Sequence, residues 1–122
     1  MSLRFGGSLL FLFATFCFAR PGVENERFYS EKWCAENRGI AEYPFPDRSR
    51  ADCVTATHAI EFDWGYKWAE GLGQAVDYAS RTGLRAGVVL LVVDTRDYNH
   101  YLRLTRIVGH FGFPVDVWIY DL

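Results

Sequence analysis

The chain reads as one α/β domain, more fully an α+β domain whose mixed sheet is covered by helices. Three observations point there. His58–Trp64 alternates in polarity with the period of a strand and runs into a helical pattern that reaches about Ser80. Val88–Val93, VVLLVV, is a continuous apolar run of the kind buried on both faces of a parallel sheet. The order of elements (helix, three strands, helix, strand, helix, strand) ends in two strand–helix–strand units, which need crossovers. With 122 residues, 50% of them hydrophobic, there is material for a single core.

The first residues stand apart from the fold. Met1–Arg4 carries one positive charge, Leu9–Phe18 is an apolar run, and Ala19 is a small residue suited to cleavage before the Arg20–Pro21 break. This pattern predicts a signal peptide over 1–19, a mature domain over 20–122, and a secreted or periplasmic setting without a stable membrane anchor.

Glu24–Asn37 reads as the first helix, with Phe28, Trp33 and Cys34 toward the core and Glu36 near its end. Gly39–Pro46 reads as a proline-bearing edge strand, and Asp47–Ser49 as a turn. Arg50–Val54 is the next strand, with Arg50, Asp52 and Val54 on one face and Ala51 and Cys53 on the other. Thr55–Thr57 is a turn, and His58 reads as a turn residue. Arg81–Gly87 is a helix stop and loop before the apolar strand. Arg96–Phe111 is a helix with Tyr98, Tyr101, Leu102, Thr105, Val108 and Phe111 on its apolar side. Its other side carries Arg96, Asn99, Arg103, Arg106 and His110, either a solvated face or a phosphate contact. Pro114–Tyr120 is the last strand.

Loss of the leader moves the formal charge from −2 to −3, because Arg4 leaves with it. A mildly acidic chain is not built for strong non-specific nucleic-acid binding, so any such contact would be local. Cleavage also leaves Cys34 and Cys53. They fit either a disulfide or two buried thiols. No Cys and His pairing has zinc-ligand spacing.

The chemistry-bearing stretch is Asp52–Tyr78. Ala59, Glu61 and Asp63 share one face of their strand, and Asp52 can face Glu61 across a hairpin. Three acids together repel, and a divalent cation is a usual remedy because hard cations take carboxylate oxygens. In the following helix Lys67, Gly71, Gln74 and Tyr78 form one stripe, beside an apolar stripe of Trp68, Leu72, Ala75, Val76 and Ala79 that would pack on the sheet. Gly71 and Gly73 cost helix stability, so the backbone there is expected to lie close to a neighbour or ligand. An ion-paired surface, with Arg48, Arg50 and Lys67 answering the acids, is the competing reading of the same residues.

On these residues the chain resembles the PD-(D/E)xK nuclease superfamily. Asp52 matches the first metal-binding acid and Glu61 the second, while Gln74-Ala75-Val76-Asp77-Tyr78 is similar to the QxxxY helix motif of its recombination-exonuclease branch. The resemblance implies a restriction-endonuclease-like core and one or two Mg²⁺ (or Mn²⁺) ions held by Asp52, Glu61 and Asp63. It also implies DNA or RNA as partner, with Lys67, Gln74 and Tyr78 completing the catalytic set. Asp63 stands where the family carries its lysine, and Lys67 is placed to substitute for it. Without that substitution the resemblance implies a degenerate nuclease fold, acting as an exported binding or interaction module.

Overall fold

The computed structural model describes residues 22–122, so the expected leader and its cleavage point lie outside the described residues. Three helices and five strands follow one another as α1 (Glu26–Glu36), β1 (Ile40–Pro44), β2 (Arg50–Val54), β3 (His58–Trp64), α2 (Trp68–Thr82), β4 (Arg85–Val92), α3 (Thr95–Phe111) and β5 (Val115–Asp121). A 3-10 turn, Gly65–Lys67, joins β3 to α2. The strands lie in sequence order in one mixed sheet. β1, β2 and β3 are antiparallel neighbours; β3, β4 and β5 are parallel. This is the expected α+β architecture. The antiparallel half comes from short turns, and the parallel half from crossovers through α2 and α3.

The sheet separates two apolar layers. On one face Tyr29 and Cys34 of α1 pack with Cys53, Ile60, Phe62, Val89 and Leu91. On the other, Ala75, Tyr78 and Ala79 of α2 and Leu104 of α3 pack with Ala51, Ala59, Val88, Leu90 and Val115. β4 is buried on both faces, as the apolar run predicts, but it starts at Arg85 rather than Val88. Arg85, Ala86 and Gly87 carry no strand signature of their own: pairing with β3 from His58↔Arg85 onward extends the strand through what reads as loop.

Asn25 opens α1 by accepting the Phe28 N–H at 2.9 Å, and Asp94 opens α3 within a capping box. Cys34 and Cys53 form a disulfide with Cα atoms 5.7 Å apart, fastening α1 to β2. Gly39 makes room for it, since a Cβ there would strike both sulfurs. The disulfide fixes the rotation of α1. Tyr29, Ser30 and Cys34 turn inward and Phe28 is exposed, contrary to the expectation for Phe28; Glu36 is exposed too. In α3 only Leu104 is fully buried, backed by Tyr101 and Val108, whereas Tyr98, Leu102 and Phe111 lie outside. The expected apolar face is therefore only partly right: Tyr101 and Val108 lie on it, while Tyr98, Leu102 and Phe111 do not, and Leu104 is its centre. Its polar stripe, Arg96, Asn99, Arg103, Arg106 and His110, is exposed.

Strand β2 breaks the rule of alternation. Ala51 packs in the α2 layer and Cys53 in the α1 layer, although they are two residues apart. Its neighbour β1 does the same, with Tyr43 against the α2 layer and Ala41 against the α1 layer. Between them Glu42 takes a left-handed backbone, φ 52°. The expected assignment of Ala51 and Cys53 to a common face is therefore wrong. The physical reason is a local twist of edge strand β1 and its neighbour β2 at Glu42 and Asp52, which period-two reading cannot register.

Candidate functional site

The twist at Asp52 builds the site. β2 and β3 pair at Cys53↔Ile60 and Val54↔Ala59 and then diverge. Beyond that point carboxylates take over from the ladder. Glu61 Oε1 accepts the Asp52 N–H at 3.1 Å, and Asp52 Oδ2 accepts the Phe62 N–H at 2.8 Å. Backbone donors freed by the splay are thus satisfied by side chains. Asp52 and Glu61 do meet, as the hairpin argument expects: Glu61 holds the Asp52 backbone, Asp52 holds that of Phe62, and the two side chains also bond to each other.

Glu61 and Asp63 are buried, at 4% and 5% exposure. Both point toward α2, and Gly71 is what admits Asp63: a Cβ at Gly71 would sit 3.1 Å from Asp63 Oδ2 and 3.2 Å from its Cβ. This close approach is what the glycine implied. Gly73 faces open space, so the same expectation fails there. The buried stripe of α2 is Gly71, Ala75, Tyr78 and Ala79, while Val76 is exposed. The stripe holding Gly71 and Tyr78 therefore faces the sheet instead of lying beside the apolar one. Small residues there let the helix sit close above the acids.

A fourth acid was not legible as a site residue. Glu26, in the first turn of α1, comes from the opposite layer and meets Asp63 where β2 has left β3. In the sequence an acid directly after an Asn cap reads as a partner for the helix dipole. Only the divergence of the strands turns it into a neighbour of Asp63.

The electrostatics follow from crowding and burial. Burial raises Glu26 to about 8, helped by the charges of Asp63 and Asp52 and opposed by Lys67. Burial likewise raises Asp63 to about 7, with Glu70 adding to the shift and Lys67 opposing it. Asp52 and Glu61 are both pushed up, chiefly by burial, and Glu61 further by the Asp52 charge. Each pair is close enough to share a proton, Glu61 with Asp52 and Glu26 with Asp63.

Lys67 lies exposed at the end of the 3-10 turn, its ammonium 5.9 Å from the centre of the Tyr66 ring. Gln74 is half-buried on α2. Tyr78 is buried, its ring stacked on Phe45 at 5.0 Å, its phenol bonded to Ser49 and raised by burial and by the Glu61 charge. Arg81 caps this stack, 4.3 Å over Phe45, and pairs with Asp47 and Asp77. Arg50 lies 3.9 Å from Glu42, and the site acids have no ion pair with arginine among the described residues. The expected ion-paired surface is thus not formed around Asp52, Glu61 and Asp63.

His58 is not a mere turn residue. It opens β3, and its Nε2 is 2.6 Å from Asp116 Oδ2, which Arg85 also binds at 2.9 Å. These contacts hold Asp116 at about 2. They tie the N-terminal ends of the three parallel strands together, at the far end of β3 from Asp63.

Among the described residues no three His, Cys, Asp or Glu side chains stand in an arrangement that could hold a metal ion. The carboxylates of Asp52, Glu61, Asp63 and Glu26 are hard oxygen donors, crowded and countered by Lys67. No protein-family model matches this chain, and neither a curated protein nor a solved structure matches it.

Proposed function

We propose that this chain is an exported, metal-dependent nuclease-like protein that hydrolyses phosphodiester bonds, with a restriction-endonuclease-like core. The observation that carries the reading is the convergence of Asp52, Glu61 and Asp63 at the point where β2 and β3 part, with Lys67 beside them. Buried acids answered only by Lys67 and by shared protons are costly to keep ionised, and a divalent cation would offset that cost.

Asp52, Glu61 and Asp63 do not stand in a metal-holding arrangement as folded here, and would have to turn toward a common point to hold Mg²⁺ or Mn²⁺. One or two ions would then supply charge stabilisation at the phosphate and a more acidic bound water. Lys67 offsets phosphate charge or orients the attacking water. Tyr78, fixed by Phe45 and Arg81, closes the α2 side of the site, and Gln74 on the preceding turn offers an amide for hydrogen bonding. The disulfide supports the exported setting, because such bonds persist in oxidising compartments.

A second reading has its own observation. Asp63 occupies the position of the family's lysine, and the carboxylates spend oxygens on backbone N–H groups and on one another. A chain of this kind retains the nuclease fold without its reaction and works as a binding or interaction module. Thermal unfolding with EDTA, Mg²⁺ or Mn²⁺, run beside cleavage of plasmid DNA and of RNA, separates the two. The nuclease reading expects metal-dependent stabilisation and cleavage, both lost in Glu61→Ala. Stabilisation without cleavage supports the binding module, and cleavage that survives Glu61→Ala defeats the assignment.

A further inference from the structure

We infer, resting on the nucleic-acid reading above, that Tyr66 is a base-stacking residue and that the strand presented to the carboxylate site is single-stranded. Tyr66 lies on the 3-10 turn that leaves β3 directly after Asp63 and Trp64. The chain buries Tyr29 and Tyr78, yet Tyr66 is 63% exposed. Its outward position is imposed by the turn. The preceding Gly65 is buried against α3, so closely that a Cβ there would lie 3.2 Å from Asp97 Cβ. With the inner side of the turn closed, the next side chain projects into solvent.

What it projects beside gives the exposure a use. Lys67 Nζ lies 5.9 Å from the ring centre, and the charge of that ammonium is felt by both Asp63 and Glu26. The ring therefore flanks the cation that faces the acids. An exposed ring with an ammonium over it at 5.9 Å offers the two contacts any nucleotide accepts whatever its base, stacking and phosphate neutralisation. In a duplex both faces of a base are already stacked, so a protein ring takes such a base only at an unstacking cost of about a few kcal/mol per step, whereas an unpaired base is open to it. The mildly acidic net charge, −3 once the leader is lost, fits the same reading, since single strands depend less on phosphate neutralisation than a duplex does.

The test compares the full chain with Tyr66→Ala and Tyr66→Phe. Binding of a fluorescein-labelled single-stranded oligonucleotide, and of the duplex of the same sequence, is followed by anisotropy in Ca²⁺. Cleavage of both is then followed in Mg²⁺ and Mn²⁺. Tyr66→Ala is expected to weaken single-strand binding about 10-fold or more, the size of one lost base–aromatic stack, with duplex affinity changing by less than about 2-fold. Tyr66→Phe keeps the ring and is expected to bind as the wild type does. In cleavage the loss falls on KM rather than kcat. Unchanged single-strand affinity in Tyr66→Ala, or equal losses on both substrates, overturns the inference and leaves the nuclease reading standing. A wild-type chain that binds neither substrate overturns both.

Discussion

Asp52 and Glu61 are joined through the backbone: the Glu61 carboxylate accepts the Asp52 N–H at 3.1 Å, while Asp52 reaches back to the N–H of Phe62 at 2.8 Å. The two side chains stand in for a ladder that β2 and β3 have abandoned, and burial makes the ionised state of Glu61 unfavourable. Glu61→Gln retains an acceptor for the Asp52 N–H and removes the ionisable group. Metal-free Glu61→Gln is expected to be more stable than the wild type at pH 8, by about 1 kcal/mol, as substitutions that relieve a functional site commonly are. Denaturant unfolding measures this, and the same variant should lose stabilisation by Mg²⁺.

Stability should also fall as pH rises, the reverse of ordinary acid denaturation. Glu26 at about 8 and Asp63 at about 7 lie above the usual carboxylate range, so between about pH 4 and pH 8 the folded chain holds more protons than the unfolded one. Their contribution is complete below about pH 4 and is lost as pH climbs through 7 and 8. Asp116, held at about 2, acts oppositely and only at the acid end: its contribution is present above about pH 4 and lost as pH falls toward 2. With EDTA present, Tm should be lower at pH 8 than at pH 5, and Mg²⁺ at pH 8 should recover the difference. A Tm that is flat or rises from pH 5 to pH 8 contradicts the assignment of proton-sharing acids.

The two glycines of α2 make an internal control. A Cβ at Gly73 meets nothing within 4 Å, so Gly73→Ala should stabilise the chain by about 0.5–1 kcal/mol through helix propensity alone. A Cβ at Gly71 would press on Asp63 at 3.1–3.2 Å. Gly71→Ala should therefore lose most of that gain and weaken the Mg²⁺ response, because Asp63 must shift. Paired thermal melts of the two variants, with and without Mg²⁺, read out the difference.

The disulfide links residues 19 apart and carries α1, with Glu26, against β2, with Asp52. Replacing Cys34 and Cys53 together by Ala should cost about 3 kcal/mol, the order expected from loop closure over such a span. Chemical denaturation of the double variant tests this. Reduction of the wild type should reproduce the loss only where the reductant reaches the bond, since both cysteines are wholly buried.

Much of this molecule was legible in order and pattern. Local signals are strong where the chain is periodic or punctuated. The alternation of His58–Trp64 placed Glu61 and Asp63 on one face, and the VVLLVV run announced a strand buried on both sides. Helix propensity marked Gly71 as a point of close approach, though it marked Gly73 equally and did not say that Asp63 is what approaches. The α+β architecture with a mixed sheet follows from such local terms, because turns and crossovers leave few ways to bury these faces.

What the tertiary structure alone decided lies where a residue's role depends on a neighbour far along the chain. The left-handed Glu42 and the twist at Asp52 send Ala51 and Cys53 to opposite layers, which no alternation rule can anticipate. The divergence of β2 from β3 then opens the sheet so that Glu26, from the other layer, reaches Asp63. Cys34 and Cys53 pair because α1 and β2 bring their Cα atoms to 5.7 Å, a distance that spacing does not encode. Period and propensity are properties of neighbouring residues. Proton sharing, burial of charge and disulfide geometry belong to the packed molecule, and here they are set by one departure from regular strand pairing.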